Sequence, residues 1–264
     1  MKTPLVVAAM AAVIGFAETP PQSEAWFGAL TGRNSQAVTE AFRAGPVVTG
    51  KPYSAMIVTR TAQQFANGTQ IDHSETALVF RDAQGRTRVE TDGGRSVTIL
   101  DPVQNASFEF RVPDQTAKHK KGKKTAAHVA YKRPLAASNQ WTVQLPKVSS
   151  EPEEKSLGAQ MVNGVSATGT RTTSIIAVGA IGNDKELRIE AERWYSQDLQ
   201  VLVKSTYNDP RFGTTTYELT RISRSAPDAA LFQVPAAYEI SENGGNIDFR
   251  VVDQTRPVYT PIKK

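Results

Sequence analysis

The sequence predicts a mainly β protein, an antiparallel curved sheet or half-barrel of about ten strands with one or two helices. Three observations support this prediction. Apolar and polar residues alternate with a period of two over several segments, most clearly within 185–235, as in strands with one buried and one wet face. Asn-Gly pairs at 67–68 and 163–164 separate such segments, which is a strong short-range signal for a hairpin. A good helical pattern occurs in one segment.

The N-terminus has the features of a secretory signal peptide. Lys2 precedes an apolar run over 5–16, which is shorter than the roughly 20 residues that span a bilayer. Small residues offer cleavage after Ala17 or after Ala25, so the expected signal peptide is 1–17 or extends to 25. A buried N-terminal helix is the structural alternative. The mature protein is expected to be soluble and periplasmic or secreted.

Residues 18–52 form an N-terminal segment that contains the predicted helix. Over 34–43, four apolar residues fall on one helical face, and Gly45-Pro46 ends the pattern; the four residues are Ala37, Val38, Ala41 and Phe42. This segment is the best helix candidate in the chain.

The first group of strands covers 53–112. A long hairpin, 53–65 and 70–81, turns at Asn67-Gly68. Three shorter strands follow at 86–91, 96–100 and 106–112, and residues typical of turns separate them. These segments predict a five-stranded meander.

The alternation is interrupted over 113–155, and the composition there predicts a long, Lys-rich flexible insertion. Within it, the residues around Trp141 are expected to form a short strand or an anchor on the core. Without five of its lysines the formal net charge of +5 falls to about zero. A solvated loop accounts for these lysines. The alternative is a weak contact with an anionic surface through Lys118, Lys120, Lys121, Lys123 and Lys124. Nucleic acid is not expected as a partner, because no aromatic residues interleave with the lysines.

The alternating pattern resumes at residue 156. A second hairpin, 156–162 and 165–176, surrounds Asn163-Gly164, and three further strands follow between 187 and 222. The segment after them is predicted to return to the sheet and to bury Phe232. The sequence thus predicts a single β domain over 53–240, interrupted by the insertion, and a C-terminal tail over 241–264.

Patterns of catalytic or metal-binding residues are missing from the sequence. Cysteine is absent, and the histidines at 73, 119 and 128 lack metal-ligand spacing. Nucleophile-elbow and P-loop motifs do not occur. The glutamates between 186 and 192 alternate on the polar side of one strand, as on a solvated face. We expect no enzymatic activity, cofactor or metal; a hydrolase with an unrecognised site is the alternative.

Large apolar residues recur on one side of many predicted strands. A packed core explains this pattern. The alternative is a curved sheet whose concave face holds an apolar or lipid-like ligand. The candidate ligand-binding residues on that face are Tyr53, Ile57, Phe80, Phe108, Phe110, Trp141, Leu187, Val201 and Tyr217.

Residues 51–112 and 156–240 carry a series of short motifs. They are PYSA at 52–55, RD and GRTR within 81–88, GTRTT at 169–173, AIGN at 180–183, ERWYS at 192–196, DPRFG at 209–213 and LFQVP at 231–235. By these motifs the chain resembles a group of uncharacterised bacterial exported proteins. Its layout is more distantly similar to the LolA/RseB superfamily of lipoprotein carriers and envelope sensors. That resemblance implies an antiparallel half-barrel with an apolar concave face.

These observations favour an exported, non-enzymatic binding protein that shelters an apolar group, such as the acyl chain of a lipid or lipoprotein. The alternative function is an envelope sensor or protein-interaction module with a filled core, whose partner is another envelope protein.

Overall fold

The computed structural model describes residues 39, 41–43, 45–113, 128–135 and 152–242. The first meander is present as predicted and turns at Asn67-Gly68. Its strands are β1 (Tyr53–Gln64), β2 (Gln70–Arg81), β3 (Thr87–Thr91), β4 (Ser96–Asp101) and β5 (Ala106–Arg111).

Two strands come next in the order of the chain, and the first was not predicted. They are β6 (Val129–Pro134) and β7 (Glu153–Val162). The expectation of a flexible insertion over 113–155 is therefore wrong for β6 and for the start of β7. The reason is that β6 fully buries a single small residue, Ala130, against Phe110 of β5, so its sequence shows no clear alternation of large apolar and polar residues. Trp141 and the five lysines lie outside the described residues.

The second meander is completed by β8 (Val165–Ile176), β9 (Leu187–Ser196), β10 (Val201–Asp209) and β11 (Gly213–Ser223). The backbone conformation of the turn between β7 and β8 shows why Asn-Gly occurs there. Asn163 has φ 48° and Gly164 has φ 85°, and this left-handed pair is what a two-residue hairpin turn requires. A 3-10 helix, Ala229–Phe232, and a short strand, β12 (Glu239–Ser241), follow.

The described strands form one sheet in the order β12-β6-β5-β4-β3-β2-β1-β11-β10-β9-β8-β7. All neighbouring strands are antiparallel except β12 and β6. The predicted fold class, a mainly β protein with one large antiparallel sheet, is confirmed, with twelve strands in place of about ten.

The sheet has an inner and an outer face, which we define by the register. Tyr53 and Ile57 of β1 lie on the inner face, and Ile57 pairs with Leu219 of β11. Residues 39 and 41–43 are helical, in agreement with the end of the predicted helix. Ala41 of this helix packs into the core on the inner face.

A second, smaller core lies on the outer face of β4–β6. It is formed by Val97, Ile99, Ala106, Phe108, Phe110 and Ala130. Val234 and Tyr238 of the C-terminal segment pack against this core. The Tyr238 ring lies 4.9 Å from that of Phe110, and its hydroxyl donates to the Arg111 carbonyl at 2.9 Å. Both faces of this large sheet are thus used to bury apolar side chains.

Candidate functional site

The nine candidate residues do not share one face. Tyr53, Ile57 and Tyr217 are fully buried on the inner face, and Val201 belongs to the same core. Phe80, Phe108 and Phe110 project from the outer face, because each follows or precedes an inner-face residue in the register. Leu187 is half-buried near the start of β9, and Trp141 lies outside the described residues. The expectation of one apolar face is therefore wrong. Alternation shows which residues of one strand lie on the same face, but it does not show which residues of the next strand lie on that face, because this depends on the register between the strands.

The protein's own side chains fill the centre of the inner face. Tyr53, Ile57, Val79, Tyr217 and Leu219 are each at most 1% exposed. Beside them lies a cavity of about 60 Å³, whereas pockets that enclose an organic ligand measure roughly 300–1,000 Å³. This part of the face has the properties of a packed core.

A buried arginine stands at the edge of that core. Arg81, at the end of β2, is 5% exposed. Its Nε donates to the Lys51 carbonyl at 3.0 Å, a terminal nitrogen donates to the Leu199 carbonyl, and the guanidinium lies 4.6 Å from the centre of the Tyr53 ring. Burial raises the pKa of Tyr53 to about 12, although the charge of Arg81 acts in the opposite direction. Sequence reasoning missed this cluster, although Arg81 alternates with Val79 and Ala77 of the inner face.

Exposed apolar residues gather at one end of the sheet. The β1–β2, β8–β9 and β10–β11 connections all lie at this end, because the register brings the end of β1, the start of β11 and the start of β9 together. Of the eleven exposed large apolar residues in the described ranges, five belong here. We call this group the loop patch; it consists of Phe65, Ile71, Val178, Ile181 and Phe212.

The β10–β11 turn holds Phe212 in place. The carboxylate of Asp209 accepts hydrogen bonds from the backbone N and Nε of Arg211, both at 2.9 Å. The Arg211 guanidinium lies 4.9 Å from the centre of the Phe212 ring. Burial alone would raise the pKa of Asp209, but the hydrogen bonds and charge of Arg211 outweigh it, and the pKa lies below its usual value. The turn is therefore a fixed support for an aromatic ring that is 52% exposed.

The other two loops are ordered by asparagine side chains. Nδ2 of Asn183 donates to the carbonyls of Ala177 at 2.8 Å and Lys185 at 2.7 Å, and its Oδ1 accepts from the backbone N of Ile181 at 3.1 Å. Oδ1 of Asn67 accepts from the backbone N of Thr69 at 3.0 Å. The sequence held a signal for this site, because the AIGN and DPRFG motifs form two of the three loops.

Several described carboxylates on the strands take part in ion pairs with arginines. Glu190 lies 3.0 Å from Arg188, and Glu192 pairs with Arg171. No cluster of three or more potential metal-ligating side chains occurs within the described ranges. In the same part of the chain, no helix has the length and hydrophobicity needed to cross a bilayer. The absence of enzymatic activity stays a prediction.

Comparison with known proteins finds similarity in structure alone. No family model matches the chain, and no curated protein matches it with significance. A chain of the Pseudomonas aeruginosa MucA/MucB complex is 14% identical, with a TM-score of 0.40 over 80% of this chain and 60% of that chain. An uncharacterized conserved protein from Thermus thermophilus is 11% identical, with a TM-score of 0.39 over 73% of this chain and 91% of that chain.

A LolA superfamily protein from Nitrosomonas europaea is 10% identical, with a TM-score of 0.29 over 77% of this chain and 99% of that chain. The chain spans 60% of the length of the first of these three structures. Similarity this remote transfers no ligand, partner or activity to this chain.

Proposed function

We propose that the chain is a non-enzymatic binding module of the cell envelope that recognises another protein through the loop patch. The observation that carries this proposal is the contrast between the filled core of the inner face and the loops at one end of the sheet. The core is filled by the protein's own side chains, whereas three ordered loops at one end each expose an apolar residue. Apolar patches larger than a few hundred Å² on a protein surface commonly mark sites of protein–protein interaction.

The patch lies on neighbouring elements of the sheet. The β10–β11 turn packs so closely against the end of β1 that a Cβ on Gly213 would lie 2.2 Å from the Ala62 carbonyl oxygen. Adjacent strands are about 4.8 Å apart, so Phe65 and Phe212 project from neighbouring turns. Phe65 is 45% exposed and Ile181 is 48% exposed, which leaves apolar area for a partner to cover.

The physical chemistry of the loops suits a binding surface. Burial of one such side chain by a partner contributes about 1.5–3 kcal/mol before the costs of association. Loops that their own hydrogen bonds already order lose little further entropy on binding. Charged pairs such as Arg60–Asp72 and Arg211–Asp209 flank the patch, and a polar border around an apolar centre is typical of protein interfaces.

Site-specific photocross-linking in the native host tests this proposal. A photoreactive amino acid at position 212 is expected to give one dominant adduct with another envelope protein, and the same residue at position 103 is not. Val103 is a matched control, because it is exposed on the β4–β5 turn at the opposite end of the sheet.

Purified competitor protein completes the design. Wild-type protein should suppress the adduct, and a variant with Phe65→Ser, Ile181→Ser and Phe212→Ser should not. Equal adducts from positions 212 and 103, or equal competition by the triple variant, would refute the role of the loop patch.

Binding of the apolar ligand that the sequence predicts is a second candidate function. It is favoured by the inner-face positions between the core and the loop patch, which are only half-buried; they are Thr59, Thr61, Tyr207 and Thr215. An acyl chain that lies along this strip would contact the patch at one end and the core at the other. Titration of a fluorescent fatty acid into delipidated protein should then saturate, Thr61→Glu should abolish binding, and Ala62→Glu on the opposite face should not.

A further inference from the structure

The two described Asn-Gly turns of the sheet hold their asparagine side chains differently. Asn67 belongs to the β1–β2 turn, where Gly68 has φ 85° and its N–H donates to the Phe65 carbonyl at 2.9 Å. Asn163 belongs to the β7–β8 turn, where Gly164 also has φ 85°. The sequence is thus the same at both sites, and the contacts of the two carboxamides distinguish them.

The carboxamide of Asn67 is turned towards the backbone that follows it. Its Oδ1 accepts a hydrogen bond from the backbone N of Thr69 at 3.0 Å, which brings the side chain to the peptide of Gly68, the residue between them. Within the described ranges this carboxamide has no other hydrogen bond, and all three residues are exposed to solvent. The amide nitrogen of Asn67 is therefore open to water.

The carboxamide of Asn163 is held by a different strand. Its Nδ2 donates to the Leu219 carbonyl of β11 at 2.7 Å, and Leu219 is fully buried in the core. This hydrogen bond directs the amide nitrogen away from its own turn. It must break before the side chain can turn towards the peptide of Gly164.

We propose that Asn67 is a site of spontaneous deamidation and that Asn163 is protected from it. In this reaction the backbone nitrogen of Gly68 gives its proton to solvent and attacks Cγ of Asn67. A bond from that nitrogen to Cγ forms, the Cγ–Nδ2 bond breaks, and ammonia leaves with a proton taken from water. Water then opens the cyclic imide at either of its carbonyl carbons, which leaves aspartate or isoaspartate at position 67.

The β1–β2 turn supplies what this reaction requires. Glycine lacks a Cβ, so the nitrogen of Gly68 is less hindered than that of any other residue in its place. The Thr69 N–H that already binds Oδ1 stabilises the negative charge that develops on this oxygen when the nitrogen attacks, as a donor in an oxyanion hole does. Gly68 must first release the Phe65 carbonyl, and in an exposed turn water replaces that hydrogen bond.

Deamidation changes the surface beside the loop patch. It replaces a neutral carboxamide by a carboxylate two residues from Phe65 in the chain. Isoaspartate also adds a carbon to the backbone of the turn that helps to set the register of β1 and β2. The deamidation itself is independent of the proposed function.

Peptide mapping by mass spectrometry tests the proposal. Native protein is incubated in a mildly alkaline buffer made with oxygen-18 water, so that each conversion during the incubation carries the heavy solvent oxygen. Asn67 should convert roughly tenfold faster than Asn163, because only Asn163 must break a hydrogen bond to a buried strand. In concentrated urea, which unfolds both turns, the two rates should become similar. Equal rates in the native protein, or a difference that persists unchanged in urea, overturns the proposal.

Two matched variants test whether Gly68 supplies the attacking nitrogen. Both glycines have φ 85° and open space where a Cβ would lie, so Gly68→Ala and Gly164→Ala introduce comparable strain. Gly68→Ala should slow the conversion of Asn67 severalfold, because the new Cβ hinders the nitrogen, and Gly164→Ala should leave that rate unchanged. A rate at Asn67 that is the same in Gly68→Ala as in the wild type would refute the mechanism. If circular dichroism shows that Gly68→Ala is unfolded, the comparison of native and urea-unfolded wild-type protein decides.

Discussion

Truncation of Phe232 tests whether the C-terminal segment is part of the folded core. Phe232 ends the 3-10 helix after β11 and is 3% exposed. The Arg86 guanidinium lies 5.2 Å from the centre of its ring, and Arg88 donates to the neighbouring Leu231 carbonyl at 2.9 Å. Burial of a phenylalanine contributes about 1.5–3 kcal/mol, and the cavity left by truncation brings the usual cost to about 3–5 kcal/mol. Because a segment on the sheet surface can partly collapse, we expect Phe232→Ala to lower the free energy of unfolding by about 3 kcal/mol.

Urea unfolding monitored by circular dichroism measures this change. Phe212→Ala is the matched control, because it removes the same atoms from a ring that is 52% exposed. Its effect on the free energy of unfolding should stay within about 0.5 kcal/mol, as for surface substitutions in general. Equal costs for the two variants, or a cost of Phe232→Ala below about 1 kcal/mol, would show that the segment does not anchor on the sheet.

Three further predictions concern stability. The Tyr53 hydroxyl is buried and has no hydrogen-bond partner in the described residues, so Tyr53→Phe should leave the unfolding free energy at neutral pH unchanged or higher. The pKa of Tyr53 is raised from 10.0 to about 12, so wild-type stability should fall between pH 10 and pH 12 as the unfolded state ionises first, and an alkaline series of urea titrations should show a smaller fall for the variant. A Cβ on Gly169 would lie 2.6 Å from the Trp194 ring, so Gly169→Ala should cost about 1–3 kcal/mol in thermal unfolding; an unchanged midpoint would contradict the close packing. Arg211 lowers the pKa of Asp209 below 3.8, so the advantage of wild type over Asp209→Asn should be complete above that value and vanish as the pH falls through the lowered pKa, and urea midpoints that stay apart in strong acid would argue against the ion pair.

Local features of the fold could be predicted from the sequence because local chemistry determines them. The hairpin at Asn163-Gly164 follows from two residues that accept positive φ, whatever the rest of the chain does. Predicted strand ends agree with those observed to within a few residues, and the predicted burial of Phe232 is confirmed. In each case the determining residues lie close together in the sequence.

The order of the strands could not be predicted in this way. Pairing of β1 with β11 and of β6 with β12 depends on packing between distant segments. The faces of the sheet follow from the same pairing, which is why Phe108 and Tyr53 were assigned to one surface although the register separates them. The loop patch was missed for a related reason, since a phenylalanine such as Phe212 is expected to be buried until the fold shows that nothing in the described chain covers it.

The junction between the two meanders has a consequence for how the protein reaches its native state. Ser54 of β1 pairs with Ser223 of β11, so this central contact closes a loop of most of the chain. Loop closure costs entropy that grows with the logarithm of loop length, and folds dominated by such contacts fold slowly, on the order of milliseconds to seconds. Until β11 has been synthesised, the first meander exposes the long edge of β1, which is a template for pairing with other chains. The interval between the synthesis of β1 and the synthesis of β11 is therefore the period in which the nascent protein most needs protection from aggregation.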